Sequence, residues 1–525
     1  MFQLILSINN ISSKKLKLSI LLISILIAAQ IQYIQHGWIN PDSVLYLEAA
    51  KLFAEGQWKS GFNIFQWPFY SLWIAGTHKV SGLNIHHSAQ FLNVFFFAIS
   101  TISFITIISL AGGNKITMAA GALILFSSSY VVGDVLEMLM RDEGFWAFYL
   151  TSIVFFIQFY KHQRYQDALL WQLSAIFAML FRIEAIMYLA LLPLILLTNK
   201  KLAWTDRIHA LIKVNFLNIL IALGVATTLT LNKHMTMENF GRLKEIFSTN
   251  LGNEFTHNLI TRANIMSSEV LGNYLEEFAV PGLLLTFILA IVVKIFSAAG
   301  FVNIGLATYT LKCRQVVIDP LVSKILYCVA LISLINMALI ITKVFVLSTR
   351  YVVGLGFIIM LFASFSFAYL LSQHTNDVGT NDKKTRVKKW LIYAMMIFMV
   401  LGVVKNILPK REGYNYLQEA ASWVANNNPQ HSPVFFDDLR VQYYAGAPYK
   451  SLGGDGWELF QDHINSKKIN EYNMLVLSIS PKYPERNLYI TQHLTHYELM
   501  KKFKNYNGKK LIHIYQRKKG DETLS

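Results

Sequence analysis

Apolar residues along this chain fall in blocks about the length of a bilayer span: Leu16 to Ile34, Ala89 to Leu110, His209 to Leu231, Val280 to Phe296, Leu321 to Ile341, Tyr351 to Leu371 and Trp390 to Leu408. Shorter blocks lie at Ile116 to Val132 and Phe145 to Tyr160. A further pair, Ala168 to Phe181 and Ala185 to Thr198, is split by Arg182 and Glu184. Together they predict an α-helical polytopic membrane protein with about eleven transmembrane helices. The stretch Ala298 to Leu311 is apolar enough to lie in the membrane interface. After Pro409 the pattern changes to short alternating elements: a helix at Tyr414 to Asn426, strands at Val434 to Phe436 and Met474 to Ser480, a helix at Leu488 to Lys502 and a strand at Leu511 to Tyr515. The expected division is a membrane domain over 1–408, with a large first outer loop at 35–88, and a small soluble α/β domain over 409–525.

Composition agrees with a membrane solvent: 54% of the 525 residues are hydrophobic and 15% are charged. The net charge of +16 need not imply nucleic acid, because much of the excess lies in short loops between spans, where Lys and Arg report orientation. With a cytoplasmic amino terminus, Lys115, the Lys161 to Arg164 turn, Lys200, Lys201, Arg207, Lys312, Arg314 and the run Lys383, Lys384, Arg386, Lys388, Lys389 all fall inside. The same count puts Gln35 to Ser88, Gly133 to Gly144, Asn232 to Ala279, Lys343 to Arg350 and the C-terminal domain outside. The polar stretch Ser372 to Lys389 then reads as a flexible cytoplasmic connector. The first span lacks a small-residue cleavage site and reads as a retained anchor. The two cysteines, Cys313 and Cys328, form no disulfide framework or thiol-rich metal site, and no fixed-period repeat is evident.

Candidate chemistry gathers at the outer boundary. In Trp38-Ile-Asn-Pro-Asp-Ser-Val-Leu-Tyr46, Asn40 is a helix N-cap and Pro41 the first helical residue, which puts Asp42 in a first turn whose dipole favours a charged carboxylate. Tyr46 follows on the same face. The plain alternative is that Asp42 only supports the helix start. Gly61 to Trp73 carries six aromatics in thirteen residues, Trp67 and Tyr70 among them. They form either an interfacial belt or a path for a lipid-linked ligand. Asp134, Glu137, Arg141, Asp142 and Glu143 precede an apolar run, at an aqueous boundary or in a wet cavity. Arg182 and Glu184 interrupt another, and either pair within the bundle or form a short outer turn, which puts a cation near the outer face. Lys343 and Arg350 flank a further outer loop, where snorkelling is the simpler explanation. The acidic pair Asp437 and Asp438 is weak evidence for a metal, and no metal site is expected.

An acidic residue just outside the first span, the Pro68-Phe69-Tyr70 helix, Arg141-Asp142-Glu143-Gly-Phe-Trp after the third span and Ser-Thr-Arg350-Tyr351 opening a late span resemble the family C glycosyltransferases, most closely the branch of the protein O-mannosyltransferases and the lipid A aminoarabinose transferase. The resemblance covers most of Leu16 to Leu371. Its motifs are short and loose, and their order on one membrane face is the specific part. It implies a sugar donor on a polyprenyl phosphate, with Asp42 at the catalytic centre and Glu143 or Asp142 as the second acid. Gln66 stands where some relatives have a phosphate-binding Lys, which moves that role to Arg350 or Arg182, with Lys343 as a further cation. Tyr46, Trp67, Tyr70 and Tyr351 would line the substrate.

Such chemistry suits the residue types. A polyprenyl phosphate is already a competent leaving group and needs only a cation, whereas the acceptor hydroxyl needs a base. One carboxylate opposite the leaving group gives a single, inverting displacement. The expected partners are the lipid-linked donor, an envelope acceptor (glycolipid, polysaccharide or protein) and membrane lipids. No nucleic acid and no cofactor are called for, and the short outer loops suit a bacterial inner membrane. A transporter or flippase, and a polysaccharide ligase or polymerase, are the competing classes. Transporters place polar groups at midplane on broken helices, often with internal repeats.

Overall fold

The structure is a computed structural model that describes residues 10–36, 38–231, 251–272, 274–376, 383–410, 413–428 and 432–518. Two compact units emerge, one of Met1–Tyr33 with Gln66–Leu408, the other of Ile34–Phe65 with Pro409–Ser525. Helix α1 (Ser13–Gln35) opens the first. The Ile34–Phe65 segment of the second carries α2 (Pro41–Ala54) and α3 (Trp58–Ile64), so the first half of the long polar loop groups with the C-terminal residues.

The first unit continues with α4 (Phe69–Ser81), α5 (Ile85–Leu110), α6 (Lys115–Phe126), a π turn at Ser129–Val135, α7 (Asp142–His162) and α8 (Tyr165–Phe181). The chain then breaks into a 3-10 turn (Ile183–Ala185), α9 (Ile186–Leu191) and a second 3-10 stretch (Leu192–Thr198). Next come α10 (Trp204–Leu231), α11 (Leu251–Met266), α12 (Ala279–Ala299), α13 (Phe301–Lys312), α14 (Pro320–Val344), α15 (Val353–Asn376) and α16 (Lys383–Ile407). Seven helices among the described residues are long and apolar enough to cross a membrane, and the bent pair of α6 with the π turn makes up to eight. This is a multi-pass membrane protein. Of the expected loops, Asn232 to Asn250 and Asp377 to Asp382 lie outside the described residues.

Small residues let helices of the first unit close on one another, as membrane packing requires where lipid offers no hydrophobic drive. A Cβ on Gly144 of α7 would sit 2.3 Å from the Phe181 ring of α8, so only hydrogen fits there. The 44° bend after α6 has a cause in the sequence. Asn406 of α16 donates from Nδ2 to the carbonyls of Phe126 (3.0 Å) and Ser128 (3.2 Å), supplying the bonds that the broken helix lacks. The Ala298 to Leu311 stretch is a separate helix, α13, set off by Gly300 at φ +82° and tied to α15 through Thr310 Oγ1 and the Phe362 carbonyl (2.7 Å).

In the second unit α17 (Asn415–Asn427), α18 (Leu439–Tyr444), α19 (Gly456–Asn465) and α20 (Pro484–His493) pack around four strands, β1 (Val434–Phe436), β2 (Met474–Ile479), β3 (Tyr497–Lys504) and β4 (Leu511–Arg517). The sheet order is β1-β2-β4-β3, with β1 parallel to β2 and the other pairs antiparallel. Leu417, Val441, Met474, Val476 and Ile514 form a core on one face, and Phe435, Phe460, Leu475, Leu477 and Ile490 on the other. The expected helix over Leu488 to Lys502 is corrected: α20 ends at His493 and Tyr497 starts an edge strand. Pairing to β4 outweighs helical spacing there, and Glu498, Lys501, Lys502 and Lys504 give the exposed edge the charge that discourages further pairing.

Candidate functional site

Arg182 terminates α8. Its backbone turns to φ −144°, ψ 119°, and its side chain is 2% exposed. It forms an ion pair with Asp142, in the first turn of α7, and reaches Glu184 Oε1 at 3.5 Å. The guanidinium also lies over two rings, Tyr351 at 4.5 Å and Phe145 at 5.8 Å. Withdrawing a charge pair from water costs several kcal/mol per ion, which attraction repays only when the geometry is good and further partners are present. Two carboxylates and two aromatic faces supply them here, a desolvated cation–π contact adding about 2 kcal/mol.

The α14–α15 connection enters the same place through the 3-10 turn Thr349–Tyr351. Arg350 is half-buried, with its guanidinium 5.7 Å from the Tyr351 ring that Arg182 also covers. Tyr130, on the π turn, interacts electrostatically with Asp142, Arg182, Arg350 and Asp134. Arg141 does so with Glu184, whose carbonyl accepts from Asn336 Nδ2 of α14 at 3.3 Å. Four segments distant in sequence therefore meet in one cluster of mixed charge. Lys343 is exposed in the last turn of α14.

Glu143 is fully buried one residue after Asp142, and neither of its carboxyl oxygens has a hydrogen-bond partner among the described residues. Asp142 Oδ2 is in the same condition. An unpartnered buried polar group costs about 1–3 kcal/mol, and such groups in a folded protein call for an explanation such as catalysis. Trp67, just before α4, is 9% exposed, and its indole N–H has no partner among the described residues either. Tyr70 is 1% exposed and anchors α4: its hydroxyl donates to Asn93 Oδ1 (3.1 Å), and Asn93 Nδ2 donates to the Met138 carbonyl (2.6 Å).

Asp42 and Tyr46 belong to the second unit. Asn40 Oδ1 accepts from the Ser43 N–H (2.8 Å) while Ser43 Oγ accepts from the Asn40 N–H (3.1 Å), a capping box with Pro41 as the first helical residue. Asp42 is half-buried in that turn, and Tyr46 is buried edge-on to Phe65 with ring centroids 5.0 Å apart. Gly56, at φ +80°, takes the left-handed position past the end of α2.

The acidic pair of the second unit is engaged internally. Asp438 caps α18 and pairs with Arg440 (2.5 Å), while Asp437 accepts from the Ser478 N–H (2.6 Å) and hydroxyl (2.9 Å). Burial pushes the Asp437 carboxyl up to about 7; the Asp438 charge adds to this, and the bonds from Ser478 oppose it. Among the described residues no group of three His, Cys, Asp or Glu side chains is arranged to hold a metal.

Compared with known proteins, the chain matches no family model and no curated protein. Site residues that sequence reasoning passed over include Tyr130 and Asn336. Both lie within apolar runs, and only the π turn and the break after Arg182 bring them to the cluster.

Proposed function

We propose that the protein is a membrane glycosyltransferase that transfers a sugar from a polyprenyl-phosphate donor to an envelope acceptor at the outer face of a bacterial inner membrane. In this proposal there are about eleven spans, as the apolar blocks indicate, and the C-terminal domain is extracytoplasmic. Contacts within the first unit support the orientation. Lys161 bonds Asp319 (3.1 Å) and the Leu110 carbonyl (3.0 Å), and Lys324 bonds Thr198 (2.7 Å), so loops assigned to the inner side meet one another. Two of the segments assigned outside, Gly133 to Gly144 and Lys343 to Arg350, come together near Arg182.

The observation that carries the proposal is the shared Tyr351 ring between a saturated cation and a more open one. Arg182, locked by Asp142 and Glu184, positions Tyr351. Arg350, half-buried, receives the donor phosphate. The family resemblance alone assigns the general base to Asp42. That carboxylate takes the acceptor hydroxyl proton while the acceptor oxygen attacks the anomeric carbon, and the bond from that carbon to the phosphate oxygen breaks with its electron pair leaving on polyprenyl phosphate. Arg350 stabilises the departing charge. Glu143, with both oxygens unbonded, orients the acceptor, and the Trp67 indole N–H donates to the sugar.

Mass spectrometry of the cell envelope with and without the protein tests the proposal. Loss of a hexose or pentose from one envelope component is the expected result and identifies sugar and acceptor together. An unchanged envelope with altered distribution of a lipid-linked precursor across the membrane would favour a flippase instead.

A further inference from the structure

Away from this cluster, the first unit has a cleft of about 460 Å³ where the α7–α8 turn meets the start of α10, lined by Gln163, Tyr165, Asp206, His209, Lys213 and Phe216. Its position follows from local structure. Gln163 is a non-glycine residue at φ +56° that caps α7, and α10 is pinned to α8 by Gln172 Oε1, which accepts from the Leu217 N–H (2.7 Å) and the Asn218 N–H (3.3 Å). Lys213 Nζ donates to the Gln163 carbonyl and lies 3.7 Å from the Tyr165 ring centroid. Gln163 Nε2 is buried in the wall with no partner among the described residues.

The donors thus outnumber the acceptors: two amide N–H bonds, the ammonium and the imidazole against the Asp206 carboxylate. Such a set suits a phosphate beside one basic group. The surroundings are those of a lipid boundary. Tyr165 and Trp204 are exposed like belt aromatics, and along α10 Ile212, Ile219 and Leu220 are exposed apolar residues. A pocket with basic and apolar lining beside the spanning helix α10 suits a phospholipid headgroup. We infer that this cleft binds a phospholipid with a primary-amine headgroup, its phosphate held by Gln163 and Lys213, its ammonium by Asp206 and its acyl chains against Ile212 and Phe216. A quaternary amine offers Asp206 no N–H, and an anionic glycerol headgroup leaves that carboxylate without a partner. The site is independent of the glycosyl-transfer proposal.

Native mass spectrometry of the full-length protein, delipidated and titrated with phosphatidylethanolamine, phosphatidylcholine or phosphatidylglycerol, tests the inference. One phosphatidylethanolamine should be retained about tenfold more tightly than either other lipid. Gln163→Gly removes the amide at a backbone conformation glycine adopts freely, so the fold is kept and the affinity should fall about tenfold. Asp206→Asn should remove the preference among the three lipids. Equal retention of all three, or no change in Gln163→Gly, would show an unselective lipid shell and overturn the site. Displacement by water-soluble glycerophosphoethanolamine at the same concentration would overturn the lipid assignment in favour of a soluble phosphodiester.

Discussion

The guanidinium of Arg182 lies 4.5 Å from the ring centroid of Tyr351, a contact between the end of α8 and the turn that opens α15. Because Arg182 is also paired with Asp142, it fastens three elements of the first unit around one buried charge. Tyr351 in turn presents its ring to Arg350, so a fixed cation and a more accessible one share a platform.

Removing Arg182 leaves Asp142 buried without its cation. Arg182→Met should therefore destabilise the first unit by about 3–5 kcal/mol. The double variant Arg182→Met with Asp142→Asn should recover much of that, since both charges are gone. Thermal unfolding in detergent compares the two, and equal loss in the single and double variants would deny the coupling.

Arg350 is half-buried and should behave differently. Arg350→Ala should change stability by about 1 kcal/mol or less, in the range of a partly solvated cation. It should weaken use of the polyprenyl-phosphate donor much more than Arg350→Lys does, because the planar fork is lost. Steady-state kinetics against donor concentration separates the variants. Unchanged donor dependence would transfer the phosphate to Arg182 or Lys343.

Much of this was legible in the sequence, for identifiable reasons. The Asn40 cap with Pro41 as the first helical residue and the seven long apolar blocks obey local rules, and they appear where spacing puts them. The partnership of Arg182 with Asp142 was not legible, because nothing local says which buried charge meets which. The edge strand Tyr497–Lys504 was misread because its Leu499 and Met500 fit a helical stripe as well as a strand, and only pairing with β4 decides. That Ile34–Phe65 groups with the C-terminal residues is likewise a long-range fact, carried by contacts such as the Trp38 and Tyr414 rings, 5.3 Å apart.

The second unit carries two opposed titrations. Asp437, raised to about 7 by burial, binds its proton more tightly folded than unfolded, so its contribution is full below about pH 4 and is lost as pH rises towards 7. His513, lowered to about 4 by burial and by Lys502, contributes above about pH 6.5 and loses this as pH falls towards 4. Between those limits the slopes partly cancel. Asp437→Asn should expose the histidine slope, with stability rising from pH 4 to 6.5 on the order of 2 kcal/mol more steeply than in the parent. Urea unfolding followed by Trp fluorescence at several pH values reads this, and parallel profiles would reject the Asp437 assignment.

Topology has a direct test in the final span. A reporter fused after Lys389 should read as cytoplasmic and one after Lys410 as extracytoplasmic, because α16 opens on a basic run and its apolar part, Lys389–Ile407, follows that run. The same side for both would remove α16 as a span.

Asp42 separates support from chemistry. Its first-turn position already has the Asn40–Ser43 capping box, so Asp42→Asn gives up only a charge–dipole interaction and should cost about 1 kcal/mol or less. Ser43→Ala, which removes one half of the box, should cost about 1 kcal/mol with no loss of turnover beyond that due to folded protein. A general base behaves in the opposite way: an amide in place of the Asp42 carboxylate cannot accept the acceptor proton, and the rate should fall on the order of a hundredfold or more. Membranes supplied with polyprenyl-phosphate sugar and envelope acceptor, at matched protein levels, measure both variants. Normal turnover in Asp42→Asn would remove the base from the proposed mechanism, and with it the main ground for preferring sugar transfer to lipid transport.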